Sequence, residues 1–135
     1  MGTKIDRTDR QWREELAPAQ YEVLRRKGTE PPFTGGYVHT KDDGMYRCAG
    51  CGTALFSSNA KFDSGTGWPS FTEPAVSANI ELHTDRSLFM DRTEVTCAAC
   101  GGHLGHVFDD GPHERGGKRY CINGCALEFE PEDQN

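Results

Sequence analysis

The sequence predicts a mainly β domain behind a short helical lead-in, and three observations carry that prediction. Runs of strand length, separated by turn residues, fill most of the chain. The region 8–28 instead carries helix caps and an apolar i, i+4 pair. Two C-x-x-C turns fall between strand-like runs, where they can staple a fold that is short of apolar residues. The chain has 135 residues, 35% of them hydrophobic, and its mean hydropathy is -0.71. Those values fit one domain, 1–135, with a thin core that a structural metal would supplement.

The elements follow in order. Thr8-Asp9-Arg10-Gln11 has the capping-box pattern, and Trp12 and Leu16 continue it as an apolar stripe. Pro18 suits the first turn of a second helix through Tyr21, Val23 and Leu24. Arg25-Arg26-Lys27 suits that helix's C-terminal end, and Gly28 its cap. Pro31-Pro32 closes the helical lead-in, and the β core is expected over 33–130. Strands are expected over 46–48, 54–56, 80–83, 87–90, 94–97, 104–108, 118–122 and 127–129. Asp42-Asp43-Gly44, Asp63-Ser64-Gly65, Asp110-Gly111-Pro112 and Gly116-Gly117 mark turns between them. The tail from Glu130 is polar and expected to be loose.

Fifteen basic against 21 acidic residues give a net charge of -6, which disfavours nucleic acid as a partner. No apolar run reaches the roughly 18 residues of a membrane span. The N-terminus has no apolar secretory core, and Asp6 stands where a myristoylation signal wants Ser or Thr. Six cysteines without a secretory signal point to metal or redox chemistry in a reducing compartment, here the cytoplasm.

Four of those cysteines form an internal echo. Cys48-Ala49-Gly50-Cys51-Gly52-Thr53-Ala54-Leu55 and Cys97-Ala98-Ala99-Cys100-Gly101-Gly102-His103-Leu104 share C-A-x-C-G-x-x-L. The Gly after each second Cys can take positive φ and aim backbone amides at sulfur. A redox C-x-x-C opens a helix in a βαβ setting, and that setting is missing. A disulfide framework fits the two tight pairs less well than a metal does. Cys48, Cys51, Cys97 and Cys100 are therefore read as ligands of one Zn2+. Four thiolates leave no open position, so the metal is structural.

Cys121 and Cys125 remain. In an extended strand Arg119, Cys121 and Asn123 share one face, while Tyr120 and Ile122 face a core. A guanidinium and an amide can lower a thiol pKa and bind a polar oxygen, but a buried inert Cys fits the segment equally well. His103 and His106 follow the second knuckle directly, which can aim their rings; a role as extra zinc ligand ranks below that. His39, His83 and His113 read as surface residues. Trp68 and Phe71, in Gly67-Trp68-Pro69-Ser70-Phe71, read as a core plug or as the wall of a pocket for an apolar group, the plug being favoured on these residues alone.

Taken together these segments resemble the methionine-R-sulfoxide reductase family. The matching text is C-A-G-C-G at 48–52, G-W-P-S-F at 67–71, C-A-A-C-G-G-H-L-G-H-V-F-D-D-G-P at 97–112 and R-Y-C-I-N at 119–123. The lead-in W-R-E-E-L-A-P-A-Q-Y-E-V-L-R-R-K-G-T-E-P-P-F-T-G also fits. The resemblance implies two small antiparallel sheets packed together in a β-tent, N-terminal helices, and a four-cysteine zinc site away from the active site. It implies reduction of the R epimer of methionine sulfoxide, in oxidised proteins or free, with thioredoxin or another thiol as reductant. By position, Cys121 resembles the nucleophile that becomes a sulfenic acid. His103 and His106 resemble the proton-donating histidines, between which the sequence does not choose. Asp110, Arg119 and Asn123 resemble orienting residues. Trp68, with Phe71 beside it, resembles the aromatic wall for the S-methyl group, which replaces the plug reading.

One departure stands out. Many relatives carry a resolving Cys in S-G-C-G-W-P-S-F, where this chain has Thr66. Cys125 is then a candidate resolver, although four residues of strand span about 13 Å and a disulfide needs Cα atoms within about 7 Å. Direct reduction by an external thiol is the favoured expectation. A monomer is expected. A non-catalytic zinc-knuckle binding module and a zinc-dependent enzyme of thiol adducts are the competing functions. The first has no use for Cys121 with its histidines, and the second needs another ligand cluster.

Overall fold

The Thr8 hydroxyl accepts the Gln11 backbone N–H, and the Gln11 side chain accepts the Thr8 N–H in return, so the capping box starts α1 (Asp9–Glu15) as expected. α2 (Pro18–Arg26) begins on its proline and ends where Lys27 turns left-handed at φ 59°, one residue before the glycine expected to do so. The computed structural model describes residues 7–33, 36–86 and 91–132. The N-terminal residues read for targeting signals, the strand expected over 87–90, and the end of the tail lie outside the described residues.

Nine strands follow among the described residues: β1 (Gly44–Cys48), β2 (Ala54–Ser57), β3 (Lys61–Phe62), β4 (Ser70–Phe71), β5 (Ile80–Asp85), β6 (Arg92–Cys97), β7 (His103–Phe108), β8 (Arg119–Ile122) and β9 (Leu127–Pro131). They form two antiparallel sheets, as expected, but of unequal size. One has three strands in the order β2-β1-β9, the other six in the order β3-β4-β8-β7-β6-β5. β3 and β4 have two residues each, too few to show a period of two in sequence.

The core lies where the sheets meet. Phe56 of the small sheet stacks on Phe71 of the large one at 4.5 Å, and Tyr46 meets Phe71 edge-on at 5.2 Å. Leu55, Val95, Leu104 and Ile122 are buried in the same cluster. β1 and β2 are joined by the first C-x-x-C turn, β6 and β7 by the second. Each turn repeats the same bonds. Gly52 N–H meets Cys48 O at 2.8 Å and Gly101 N–H meets Cys97 O at 2.7 Å, with both glycines left-handed at φ 80° and 76°. The echo in sequence is thus an echo in structure, with one knuckle on each sheet.

The helices cover the knuckles. Trp12 packs so close to Gly50 that a Cβ there would lie 3.3 Å from its ring, and Leu24 does the same to Gly102 at 2.9 Å. Arg25 donates to the Cys100 carbonyl at 2.8 Å and lays its guanidinium over Trp12 at 4.7 Å.

Candidate active site

Pairing of the central strands sets the site. Cys121 of β8 lies directly opposite His106 of β7 on one side and Ser70 of β4 on the other. Directly opposed residues point to the same face. The alternation expected over 119–123 holds: Arg119, Cys121 and Asn123 line one cavity, while Ile122 is buried in the core and Tyr120 packs on Phe56.

A regular strand would put His103 and His106, three residues apart, on opposite faces. β7 escapes this through a bulge: Val95 pairs with Gly105 but Thr96 with His103, so Leu104 is the extra residue. Leu104 drops into the core and both imidazoles stay on the polar face, their ring centres 5.5 Å apart. They do different things there. His106 lines the Cys121 cavity. His103 is 3% exposed, donates from Nδ1 to Glu94 Oε2 at 2.8 Å, and lines a separate cavity beside α2. Lys27 approaches the other oxygen of Glu94 at 3.5 Å. Burial lowers the His103 pKa against the pull of Glu94.

The Cys121 cavity has a volume of about 220 Å³, and its walls include Trp68, Phe108, His106 and Arg119. Gly105 also lines it, and β7 and β8 approach so closely there that a Cβ would lie 2.1 Å from the Cys121 carbonyl oxygen. Arg119 forks onto Asp110 at 2.9 and 3.2 Å and lies 4.6 Å over the Phe108 ring. Asp110 therefore acts on the cavity through Arg119, and its own carboxyl is held below the ordinary range by that guanidinium.

Burial pushes the Cys121 thiol above its ordinary value. The Thr66 hydroxyl, 4.0 Å from the sulfur, and the Arg119 guanidinium pull it down only in part. The guanidinium thus acts in the expected direction but is outweighed. Alkylation of Cys121 by iodoacetamide is expected to lag behind a free thiol at pH 7 and to rise with pH beyond about 8.5. Arg119→Gln should slow it further at neutral pH. Peptide mass spectrometry of the labelled site across pH checks both; faster labelling in the variant would contradict the assigned role of Arg119.

Asn123 is 3% exposed, and its amide is committed to backbone. Its Oδ1 accepts from Glu30 N–H and its Nδ2 donates to Leu104 O, both at 2.9 Å. Glu30 was not expected from sequence. Its carboxylate accepts the N–H groups of Gly124 and Cys125 at 2.7 and 3.0 Å, and its carbonyl accepts Trp68 Nε1–H at 2.9 Å. One buried residue thus holds both the aromatic wall and the turn after β8. Its position before Pro31-Pro32 was the available signal.

Two expectations need correction or relocation. Phe71 is not a cavity residue: it is 0% exposed and packed between Phe56 and Tyr46. The reason is the strand period, for Ser70 pairs with Cys121 and Phe71 with core-facing Tyr120. Cys125 sits in a short 3-10 turn (Gly124–Ala126) and lines a different cavity, with its thiol against the Ala19 carbonyl at 3.7 Å. Burial and the Glu30 carboxylate push that thiol up to about 12.

The four knuckle sulfurs all lie within 4.8 Å of one another, with 3.7 Å between Cys48 and Cys100 and 3.6 Å between Cys51 and Cys97. A tetrahedral ion with bonds of about 2.3 Å needs sulfurs about 3.8 Å apart. The donor set and its spacing fit a metal ion, and none of the four lines the Cys121 cavity. No helix among the described residues is long and apolar enough to cross a membrane.

The SelR domain family model matches residues 16–131. A peptide methionine sulfoxide reductase MsrB of Bradyrhizobium diazoefficiens is 58% identical over 129 residues, covering 96% of this chain and 92% of that protein. The protein of the same name from Methanosarcina mazei is 54% identical over 130 residues, covering 96% and 92%. That from Leptospira interrogans is 49% identical over 132 residues, covering 98% and 100%. Among solved structures, the crystal structure of the Mis18 'Yippee-like' domain is similar with a TM-score of 0.54 at 17% identity, over 68% of this chain and 99% of that one. At that identity the likeness is one of fold.

Proposed function

The chain belongs to the SelR domain family, and from that membership we propose that it is a peptide-methionine (R)-S-oxide reductase with Cys121 as its nucleophile. The observation that carries this is the placement of Cys121 in a cavity with an imidazole opposite it and an indole beside it. The Cys121 thiolate attacks the sulfoxide sulfur, the S–O bond breaks, and the oxygen leaves on Cys121 as a sulfenic acid. The substrate sulfur gains two electrons and the cysteine sulfur loses two. His106, which lines the cavity, supplies the proton to the oxygen; His103, tied to Glu94 outside it, supports β7 instead. Trp68 and Phe108 offer the S-methyl group an apolar wall, and Arg119 faces the oxygen side. Different walls for methyl and oxygen select one epimer.

Turnover of separated R and S epimers of dabsylated methionine sulfoxide with dithiothreitol tests the reading. The R epimer should be consumed and the S epimer left; no R activity in metal-loaded protein would refute it.

Recycling falls to an external thiol, thioredoxin or a small one. Thr66 occupies the resolving position and Cys125 lies in another cavity behind a thiol pushed up to about 12. Thr66→Cys would place a sulfur where a hydroxyl now stands 4.0 Å from Cys121 Sγ. It is expected to form a disulfide with Cys121 after one turnover and to raise thioredoxin-driven turnover. Thiol titration after a stoichiometric dose of R sulfoxide should fall by two groups; no extra loss relative to the parent would show that the two positions cannot bond.

Cys48, Cys51, Cys97 and Cys100 would hold one Zn2+, which supplies a structural crosslink when bound. Six cysteines outside any disulfide fit a reducing compartment such as the cytoplasm, and the net charge of -6 leaves nucleic acid out of the expected partners.

A further inference from the structure

Both histidines of β7 meet a carboxylate at 2.8 Å, but through opposite nitrogens. His103 uses Nδ1 on Glu94; His106 uses Nε2 on Asp85 Oδ2. Such a contact fixes which ring nitrogen carries the proton and how the ring is turned. Asp85 ends β5, the edge strand, two strands away from His106. Its Oδ2 is also 3.4 Å from the guanidinium of Arg92, its cross-strand partner, which lines the Cys121 cavity. Among the described residues, the other charged or titratable groups on the His106 face include His83 on β5, Glu94 on β6, His103 on β7, and Arg119 and Cys121 on β8.

Resting on the assignment of Cys121 and His106 above, we infer that Asp85 is a positioning residue for the reduction, holding His106 with its neutral-state proton on Nε2 so that Nδ1 is the atom that exchanges a proton in the cavity. Directly opposed side chains on neighbouring strands have Cβ atoms about 4.5–5.5 Å apart, and His106 and Cys121, so opposed, line the same cavity. The cycle then balances within the chain. Nδ1 takes the Cys121 thiol proton, giving a thiolate and an imidazolium whose Nε2–H stays on the Asp85 carboxylate. The thiolate attacks the sulfoxide sulfur, and the S–O bond breaks. Nδ1 returns the same proton to the oxygen, which ends as the Cys121 sulfenic acid beside neutral methionine. No outside proton or electron is needed for this half of the cycle.

A purely structural pair predicts something different. The Arg92, Asp85 and His106 side chains are 23%, 22% and 11% exposed, so losing the carboxylate costs some stability. Asp85→Asn keeps the size and a hydrogen-bond acceptor and should hold the parent melting temperature to within a few degrees, while Asp85→Ala should melt lower but remain folded; both change the ring and the chemistry.

The test uses the full chain with its metal bound and 15N-histidine labelling. Long-range 1H–15N spectra of neutral His106 should show the Nε2-protonated tautomer in the parent and a mixture in Asp85→Ala. Single-turnover reduction of dabsylated R sulfoxide should fall at least about tenfold in Asp85→Asn with KM within twofold, and Asp85→Glu should regain part of the rate. An Nδ1-protonated tautomer in the parent, an unchanged tautomer in Asp85→Ala, or a single-turnover rate within twofold in Asp85→Asn would overturn the inference. If the parent itself fails to reduce the sulfoxide, the reaction assigned above is wrong, and the tautomer spectra still judge the Asp85–His106 pair.

Discussion

Cys121→Ser is expected to abolish reduction of the R sulfoxide, by about four orders of magnitude or more, while leaving the fold intact. The size of the effect follows from chemistry. A serine hydroxyl titrates far above any pH at which the protein folds, and an alkoxide attacking a sulfoxide sulfur has no stable two-electron product equivalent to a sulfenic acid. The fold should survive because the exchange is close to isosteric. Cys121 also makes no contact that the core depends on: its neighbours in the cavity are Thr66, Arg119 and His106. The parent given one equivalent of R sulfoxide without reductant should carry one extra oxygen on the peptide containing Cys121, trapped by a sulfenic-acid reagent. The variant should not. Residual activity in the variant would move the nucleophile elsewhere, and Cys125 would be the first place to look, because it is the one other cysteine outside the knuckles.

Much of this arrangement was legible in the sequence because it depends on short-range signals. The capping box at Thr8 and the proline at Pro18 start helices through bonds made within one turn. The two C-A-x-C-G turns specify matching backbone bonds at Gly52 and Gly101. The alternation over 119–123 separates cavity residues from core residues by period alone. What escaped depends on long-range pairing. The bulge at Leu104 exists only against β6, so nothing within β7 announces that two histidines three apart will share a face. Glu30 works on amides 94 and 95 residues away. Asp85 reads as an ordinary polar residue near a turn until β6 and β7 place it against His106. Phe71 was misplaced for a related reason. G-W-P-S-F looks like one loop, but its last two residues are a strand, and pairing with β8 sets Ser70 opposite Cys121 and turns Phe71 to the core.

Loss of the knuckle metal is expected to unfold the domain rather than to tune its chemistry. Cys48 and Cys51 stand on a hairpin of the three-stranded sheet, Cys97 and Cys100 on a hairpin of the six-stranded one, so an ion held by all four would tie the sheets together. The helices depend on the same place: Trp12 and Leu24 pack against the knuckle glycines, and Arg25 bonds the Cys100 carbonyl. Structural zinc contributes on the order of 10 kcal/mol, comparable to the whole stability of a domain of this size. Chelation, or Cys97→Ser, should therefore lower the melting temperature by about 20 °C or more, or remove the cooperative transition altogether. Elemental analysis should find one zinc per chain in the parent and less in the variant. Activity should fall in step with the folded fraction, because none of the four cysteines lines the Cys121 cavity. A metal-free protein that melts like the parent would show that the aromatic stack of Phe56, Phe71 and Tyr46 holds the sheets unaided. A metal-free protein that stays folded but inactive would instead place the metal in the chemistry, against the closed four-thiolate geometry of its site.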